Sequence, residues 1–132
     1  MHHVWMCTCR ACVIVLFFVI HTNPVYSAIS ASGDLTPGYV GPVDPWNIND
    51  ELVIGDTGDG SLTIDGGSDV SSDGGVLGKD PGAMGRVTVD GSGSSWTQSE
   101  ILSVGGGGSG ELEVQAGGFL SSGFSKIGDL SH

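Results

Sequence analysis

The stretch from Trp46 to Gly82 reads WNINDELVIGDTGDGSLTIDGGSDVSSDGGVLGKDPG, and its pattern recurs between Trp96 and His132. The recurrence keeps the spacing of apolar residues and glycines without a gap, at a shift of about 50 residues. Internal periodicity of this length is typical of repeat architectures. The matched pairs include Trp46 and Trp96, Leu52 and Leu102, Ile54 and Val104, Gly55 and Gly105, Leu62 and Leu112, and Ile64 and Val114.

Each long unit also divides into two similar halves. GDTGDGSLTID (55–65), GKDPGAMGRVTVD (78–90) and GGGGSGELEVQ (105–115) share a glycine, a short polar loop, a second glycine and an apolar-x-apolar strand. The half-period of roughly 25 residues is about one coil of a solenoid. We expect coils to begin near Leu52, Val76, Ile101 and Lys126.

The apolar-x-apolar triplets predict the core. In a strand the outer two residues of such a triplet share one face, and the middle residue faces out. We therefore predict an all-β fold, a right-handed parallel β-helix (β-solenoid) of about three to four coils, in which each coil buries its neighbour's apolar face. The expected core residues are Leu52, Ile54, Leu62, Ile64, Val87, Val89, Leu102, Val104, Leu112 and Val114.

Trp96 falls in register with Val70 and Leu120 of the adjacent coils. This register predicts that Trp96 lies in or near the core, with Trp46 as its equivalent ahead of the repeats. The alternative is an exposed aromatic platform on which a sugar ring could stack.

The phrases VTVDGSGSSW (87–96) and LSVGGGGSGELEVQAGG (102–118) carry a family resemblance. They resemble the bacterial repeat associated with type V secretion (autotransporter) passengers and PEP-CTERM proteins, over the whole of Trp46 to His132. The resemblance implies a parallel β-helix on an exported protein. It implies no activity, because that family has no catalytic motif to carry over.

The N-terminal segment has the features of an export signal. Arg10 precedes an apolar run from Ala11 to Ile20, which is too short for a membrane span, and small residues follow at Ser27 and Ala28. We expect a cleaved signal peptide at residues 1–28; the alternative is an uncleaved N-terminal anchor. Cys7, Cys9 and Cys12 all fall in this segment, so neither a disulfide framework nor a zinc site is expected in the mature chain.

Two further segments complete the predicted organisation. Residues 29–45 are rich in glycine and proline and lack periodicity, which favours an extended lead-in, either a linker or part of an N-terminal cap. Residues 46–132 hold the β-helix repeats, with an incomplete last coil. Nothing after Ile127 has the pattern of a cap, so we expect possible self-association through the uncapped C-terminal coil.

The charge of the chain is strongly acidic. The formal net charge is −11, and all fifteen acidic residues follow the predicted signal, against the three basic residues Lys79, Arg86 and Lys126. This balance disfavours nucleic acids and anionic lipids as partners and suits an extracellular protein. Extracellular glycans or surface proteins remain possible partners, with no membrane span in the mature chain.

The sequence offers no catalytic constellation, and we predict no enzyme. Histidine occurs only at positions 2, 3, 21 and 132, which removes Ser-His-Asp and Cys-His arrangements from the repeats. No catalytic, cofactor-binding or metal-ligating residue is assigned. The alternative is a fragment of a polysaccharide-binding or polysaccharide-degrading (lyase- or hydrolase-like) β-helix protein, in which carboxylate pairs would act on a glycan.

Calcium is the one cofactor with any support. Asp56, Asp59, Asp65 and Asp69 place oxygen ligands on turns, as hard cations require. Ordinary turn chemistry explains the same Asp-Gly pairs without an ion. Together these observations lead to the expectation of an exported, secreted or cell-surface (outer-membrane-associated) protein with a structural or adhesive role.

Overall fold

The computed structural model describes residues 28–128. The predicted signal peptide and its three cysteines lie outside these residues, apart from Ala28, which is the first of them. The described part consists of strands, turns and bends. Its strands are β1 (Ala28–Gly33), β2 (Leu35–Thr36), β3 (Trp46–Asn47), β4 (Glu51–Ile54), β5 (Asp59–Asp65), β6 (Asp69–Ser72), β7 (Gly74–Leu77), β8 (Met84–Asp90), β9 (Ser95–Gln98), β10 (Ile101–Val104), β11 (Ser109–Gln115), β12 (Phe119–Ser121) and β13 (Phe124–Ile127).

The strands form three sheets that wind as a β-solenoid of about three turns, which confirms the predicted architecture. Sheet 1 has the order β1-β5-β8-β11, sheet 2 the order β2-β4-β7-β10-β13, and sheet 3 the order β3-β6-β9-β12. All pairings between coils are parallel. Each coil therefore contributes one strand to each sheet, and equivalent residues stack in ladders.

The interior of the solenoid holds the apolar ladders that the repeats predict. Val87 stacks between Leu62 and Leu112, because sheet 1 pairs it with both. Eight of the ten expected core residues are buried, and they are Leu52, Ile54, Leu62, Ile64, Val87, Val89, Leu102 and Val104. Trp96 and Trp46 are buried as well, which confirms the register with Val70 and Leu120.

The prediction of full burial was wrong for two of the ten core residues. Leu112 is only partly buried, and 41% of Val114 is exposed. Both lie on β11, which pairs with β8 on one side and with no strand of the described chain on the other. Because a neighbouring strand covers these two side chains on one side only, they are less buried than the equivalent residues of the inner coils.

One middle residue departs from the expected outward exposure. Val53 of β4 lies between Leu52 and Ile54, which face the interior, so its side chain points outward and was expected to be exposed. It is buried nevertheless. It pairs with Thr36 of β2 on one side and Val76 of β7 on the other, so strands flank it in both directions.

The lead-in folds back as a cap over the first coil. β1 pairs antiparallel with β5, and β2 pairs antiparallel with β4. Ile29 reaches the core, and Tyr39 packs edge-on against Trp46 at a ring-centroid distance of 4.9 Å. Residues 28–45 therefore form a cap and not a free linker.

Candidate functional site

The four carboxylates proposed for calcium are dispersed. The Asp56 carboxylate lies 3.5 Å from the Lys79 ammonium of the next coil. Asp69 Oδ1 accepts a hydrogen bond of 2.6 Å from the Ser95 hydroxyl. Between residues 28 and 128 no three acidic, histidine or cysteine side chains converge in a way that could hold a metal ion. These two carboxylates thus contact the adjacent coil, as ordinary turn residues of a solenoid would.

Asp65 and Asp59 act through their backbones. The Asp65 carbonyl accepts hydrogen bonds from the backbone N–H and the hydroxyl of Ser68, at 3.1 and 2.7 Å. The Asp59 carbonyl accepts a 2.9 Å hydrogen bond from the N–H of Asp34. Both residues therefore help to define turns and to attach the cap.

Asp34 is the acidic residue whose role the sequence did not reveal. Its carboxylate accepts hydrogen bonds from the N–H groups of Thr57 and Gly58, at 2.8 and 2.9 Å, and from the Thr57 hydroxyl at 3.2 Å. The N–H of Thr57 and then that of Gly58 lower the pKa of Asp34, because they stabilise its charged form. Asp34 fastens the cap to the first coil, and no repeat pattern could have identified it, since it precedes the repeats.

The outward faces of sheets 1 and 3 carry polar ladders, whereas Val53 stacks on Val76 on the outer face of sheet 2. The Arg86 guanidinium contacts the Glu111 carboxylate at 2.8 Å, and the Gln115 amide donates to Asp90 at 3.2 Å. Each bond joins residues one coil apart, because parallel strands align equivalent positions. The outer faces of sheets 1 and 3 are thus a regular array of hydroxyl, amide and carboxylate groups, and they are not organised around one residue.

Trp96 cannot serve as a sugar-stacking platform in this structure. Its exposed fraction is 0%, and its indole N–H donates a 3.1 Å hydrogen bond to the Ser72 hydroxyl inside the core. A Cβ built on Gly75 would lie 2.8 Å from the indole ring. Gly75 occupies the ladder position of Leu52 and Leu102, so the indole fills the volume that a leucine takes in the neighbouring coils.

A groove runs along the corner that follows sheet 3. Its volume is about 370 Å³. Gln98, in its wall, is buried, and neither amide atom of its side chain has a hydrogen-bond partner within the described residues. The groove is lined mainly by hydroxyl, amide and carboxylate groups, with Ile48 as its one apolar side chain. Its lining residues are Ile48, Asn49, Ser71, Ser72, Asp73, Thr97, Gln98 and Ser99.

The described residues contain neither histidine nor cysteine. A serine in this region therefore has no imidazole to activate it as a nucleophile. The groups available at the groove and on the ladders can form hydrogen bonds to a ligand, and that is the chemistry we assign to them.

Comparison of the chain with protein-family models, with curated proteins and with solved structures found no match. Residues 28–128 include no helix long and apolar enough to cross a membrane.

Proposed function

We propose that this chain is an exported β-solenoid of the cell surface or extracellular space, similar to an autotransporter passenger, with a structural or adhesive role. The observation that supports this role most directly is the polar ladder on the outside of sheets 1 and 3. The interior is filled by packing, and the outer groups repeat from coil to coil. A surface of this kind can form many weak contacts with a partner along its length, and no single residue is then essential for binding.

The acidic balance and the N-terminal apolar run support export. A strongly acidic net charge suits an extracellular protein, and the run from Ala11 to Ile20 has the length of a signal-peptide core. Expression of the full chain in a Gram-negative host, followed by cell fractionation and mass spectrometry, tests this step. Intact Met1 on protein recovered outside the cytoplasm would contradict cleavage, and retention in the cytoplasm would contradict export.

The groove beside Ser71 and Thr97 favours a glycan as the adhesive ligand. Polar groups fixed in a cleft can orient a polar ligand, and this groove presents hydroxyl and amide groups around the side chain of Ile48. The same observation supports the second candidate, a polysaccharide-binding module. Both candidates predict binding without turnover.

A glycan array probed with the purified chain tests the groove. Thr97→Arg places a bulky charge in the groove and should abolish binding. Thr63→Arg is the matched control, because Thr63 is also a partly buried, outward-facing residue in the middle of a strand, but on sheet 1. Equal binding by both variants would exclude the groove. Release of shortened sugars from acidic polysaccharides would instead indicate an enzyme.

A further inference from the structure

Gln98 is a buried glutamine without hydrogen bonds at the wall of the groove. It pairs in register with Ser72 of the previous coil, and both side chains face the interior with an exposed fraction of 6%. The Ser72 hydroxyl accepts a hydrogen bond from the Trp96 indole. In the Gln98 side chain, by contrast, both the amide nitrogen and the amide oxygen lack a partner within residues 28–128.

An unpaired amide at this position weakens the fold. Burial removes the hydrogen bonds that the amide would form with water and supplies none in return. In the first coil the equivalent position belongs to Ile48, which follows the pair of Asn47 and Ser71. Packing alone would favour such an apolar residue at position 98 as well. A destabilising polar group at the wall of a cavity is typical of a binding residue, because binding and stability favour different side chains there.

The Gln98 amide lies over Gly75. A Cβ built on Gly75 would be 3.2 Å from the amide nitrogen and 2.8 Å from the Trp96 ring, so the glutamine helps to fill the space that the glycine leaves. Gln98 also lines the groove, together with Thr97 and Ser99. Rotation about its side-chain bonds can therefore carry the amide from the interior to the groove.

The chemistry of the groove limits the class of ligand. An amide presents a donor and an acceptor side by side, and two neighbouring hydroxyls of a sugar ring match them. Asp73 is the one charged side chain in the lining, and its charge disfavours an acidic sugar. Ile48 lies two coils from Gln98, so the methyl of an acetamido group bound to this amide would contact the hydroxyls of Thr97 and Ser99.

We propose that Gln98 selects an uncharged glycan of unmodified hexoses in this groove, by turning its amide outward to hydrogen-bond two neighbouring hydroxyls of one sugar ring. This assignment rests on the proposed function of the groove. Packing over Gly75 favours the inward position of the amide, and hydrogen bonding favours the outward one. A ligand with matched hydroxyls shifts the balance outward, because it binds the outward position alone.

Isothermal titration calorimetry of the full chain tests the selection. Oligosaccharides of glucose, mannose and galactose are the probes, and oligosaccharides of N-acetylglucosamine and of galacturonic acid are the comparison. At least one of the three probes should bind more tightly than both comparison sugars. Gln98→Met, which keeps the chain length and removes the amide, should weaken this binding at least about tenfold. Gln115→Met is the matched control and should bind as wild type does, because the Gln115 amide lies on sheet 1.

Urea denaturation and NMR test the position of the amide. Gln98→Met should raise the urea midpoint by about 0.5–1 M, because it removes the unpaired polar atoms. The side-chain N–H resonances of Gln98, identified by their loss in this variant, should shift when the glycan binds. Those of Gln115 should stay in place.

The outcomes separate the role of Gln98 from the role of the groove. A wild-type chain that binds none of these glycans would overturn both. Binding that Thr97→Arg abolishes and Gln98→Met leaves unchanged would overturn the role of Gln98 alone, as would tighter binding of an acetamido or acidic sugar. A lower urea midpoint in Gln98→Met would show that the amide is satisfied inside the fold, and this result would also overturn it.

Discussion

β5 and β11 have nearly the same pattern of residues and very different surroundings. In β5, Leu62 and Ile64 are fully buried, whereas in β11 the equivalent Leu112 is partly buried and Val114 is 41% exposed. The first strand lies between β1 and β8, and the second has β8 alone. The comparison shows that the repeat specifies which face of a strand turns inward, while the neighbours on both sides specify how much area is buried.

The largest expected difference between the two strands follows from truncation of their leucines. Leu62→Ala should destabilise the fold by about 2–5 kcal/mol, because it leaves a cavity with strands on both sides. Leu112→Ala should cost about half as much, about 1–2.5 kcal/mol, because one side of Leu112 has no neighbouring strand and truncation therefore removes less buried area. Urea midpoints of dilute samples measure both, with Glu113→Lys as an outward-facing control within about 0.5 kcal/mol of wild type. Equal losses at the two leucines would contradict the comparison.

The second expected effect concerns Gly75 and Trp96, because the Trp96 indole occupies the space that a leucine at position 75 would need. Gly75→Leu should cost about 1–3 kcal/mol, because the new side chain would overlap the indole ring. Trp96→Val, which copies Val70 of the previous coil, should cost about 2–4 kcal/mol through the cavity it leaves.

The double variant Gly75→Leu/Trp96→Val tests whether the two positions compensate. Its loss of stability should fall below the sum of the single losses by at least about 1 kcal/mol, because the leucine occupies space that the indole vacated. Additive losses in urea denaturation would show that the two positions pack independently.

The third effect is a pH dependence at the capped end. The pKa of Asp34 is lowered in the folded protein, so its carboxylate adds stability above the unfolded pKa, and this stability is lost as pH falls through the folded pKa. Asp34→Asn should therefore lower the urea midpoint at about pH 7 and converge with wild type near about pH 2. Asp80→Asn, an exposed carboxylate in the corresponding loop of the next coil, is the control. A gap between Asp34→Asn and wild type that persists at low pH would contradict the argument.

The smallest effect compares two corners of the solenoid. Gly66 has a φ of 62°, and its equivalent Ala116 has a φ of 51°, a conformation that carries a steric cost for any residue with a Cβ. Ala116→Gly should raise the stability by about 0.5–1 kcal/mol, whereas Ala31→Gly in β1 should lower it by a similar amount. Thermal melting measures both changes, and a loss at Ala116 would show that its corner tolerates alanine without strain.

The sequence predicts the solenoid because its signal is repeated. The spacing of Leu52, Ile54 and their equivalents identifies strands, facing and coil length in one pattern, and the structure places these residues in ladders. Trp96 could be placed in the core for the same reason, since it shares a register with Val70.

The features that escaped prediction depend on contacts the repeat does not encode. The cap strands have no counterpart in the repeats, and Asp34 recognises N–H groups that lie 23 and 24 residues away. Gly75 stands where the neighbouring coils have a leucine, and the indole of Trp96 from the same coil fills the space of the missing side chain. For the site, the sequence identified the acidic turns, but the groove arises where two coils meet at a corner and could not be located from one strand.

Within residues 28–128, the cap lies at one end of the solenoid and the singly paired strands β11 to β13 lie at the other, so we expect the two ends to open at different rates. The strands β5 and β8 pair with a neighbouring strand on each side, whereas β11, β12 and β13 pair on one side only. Their amide protons are therefore closer to water. The rate of hydrogen–deuterium exchange at backbone amides should therefore fall along the solenoid axis, from the coil of β11 to β13 to the coil beneath the cap. An unfolding force applied along the chain would release the C-terminal coil first and leave the capped coils folded.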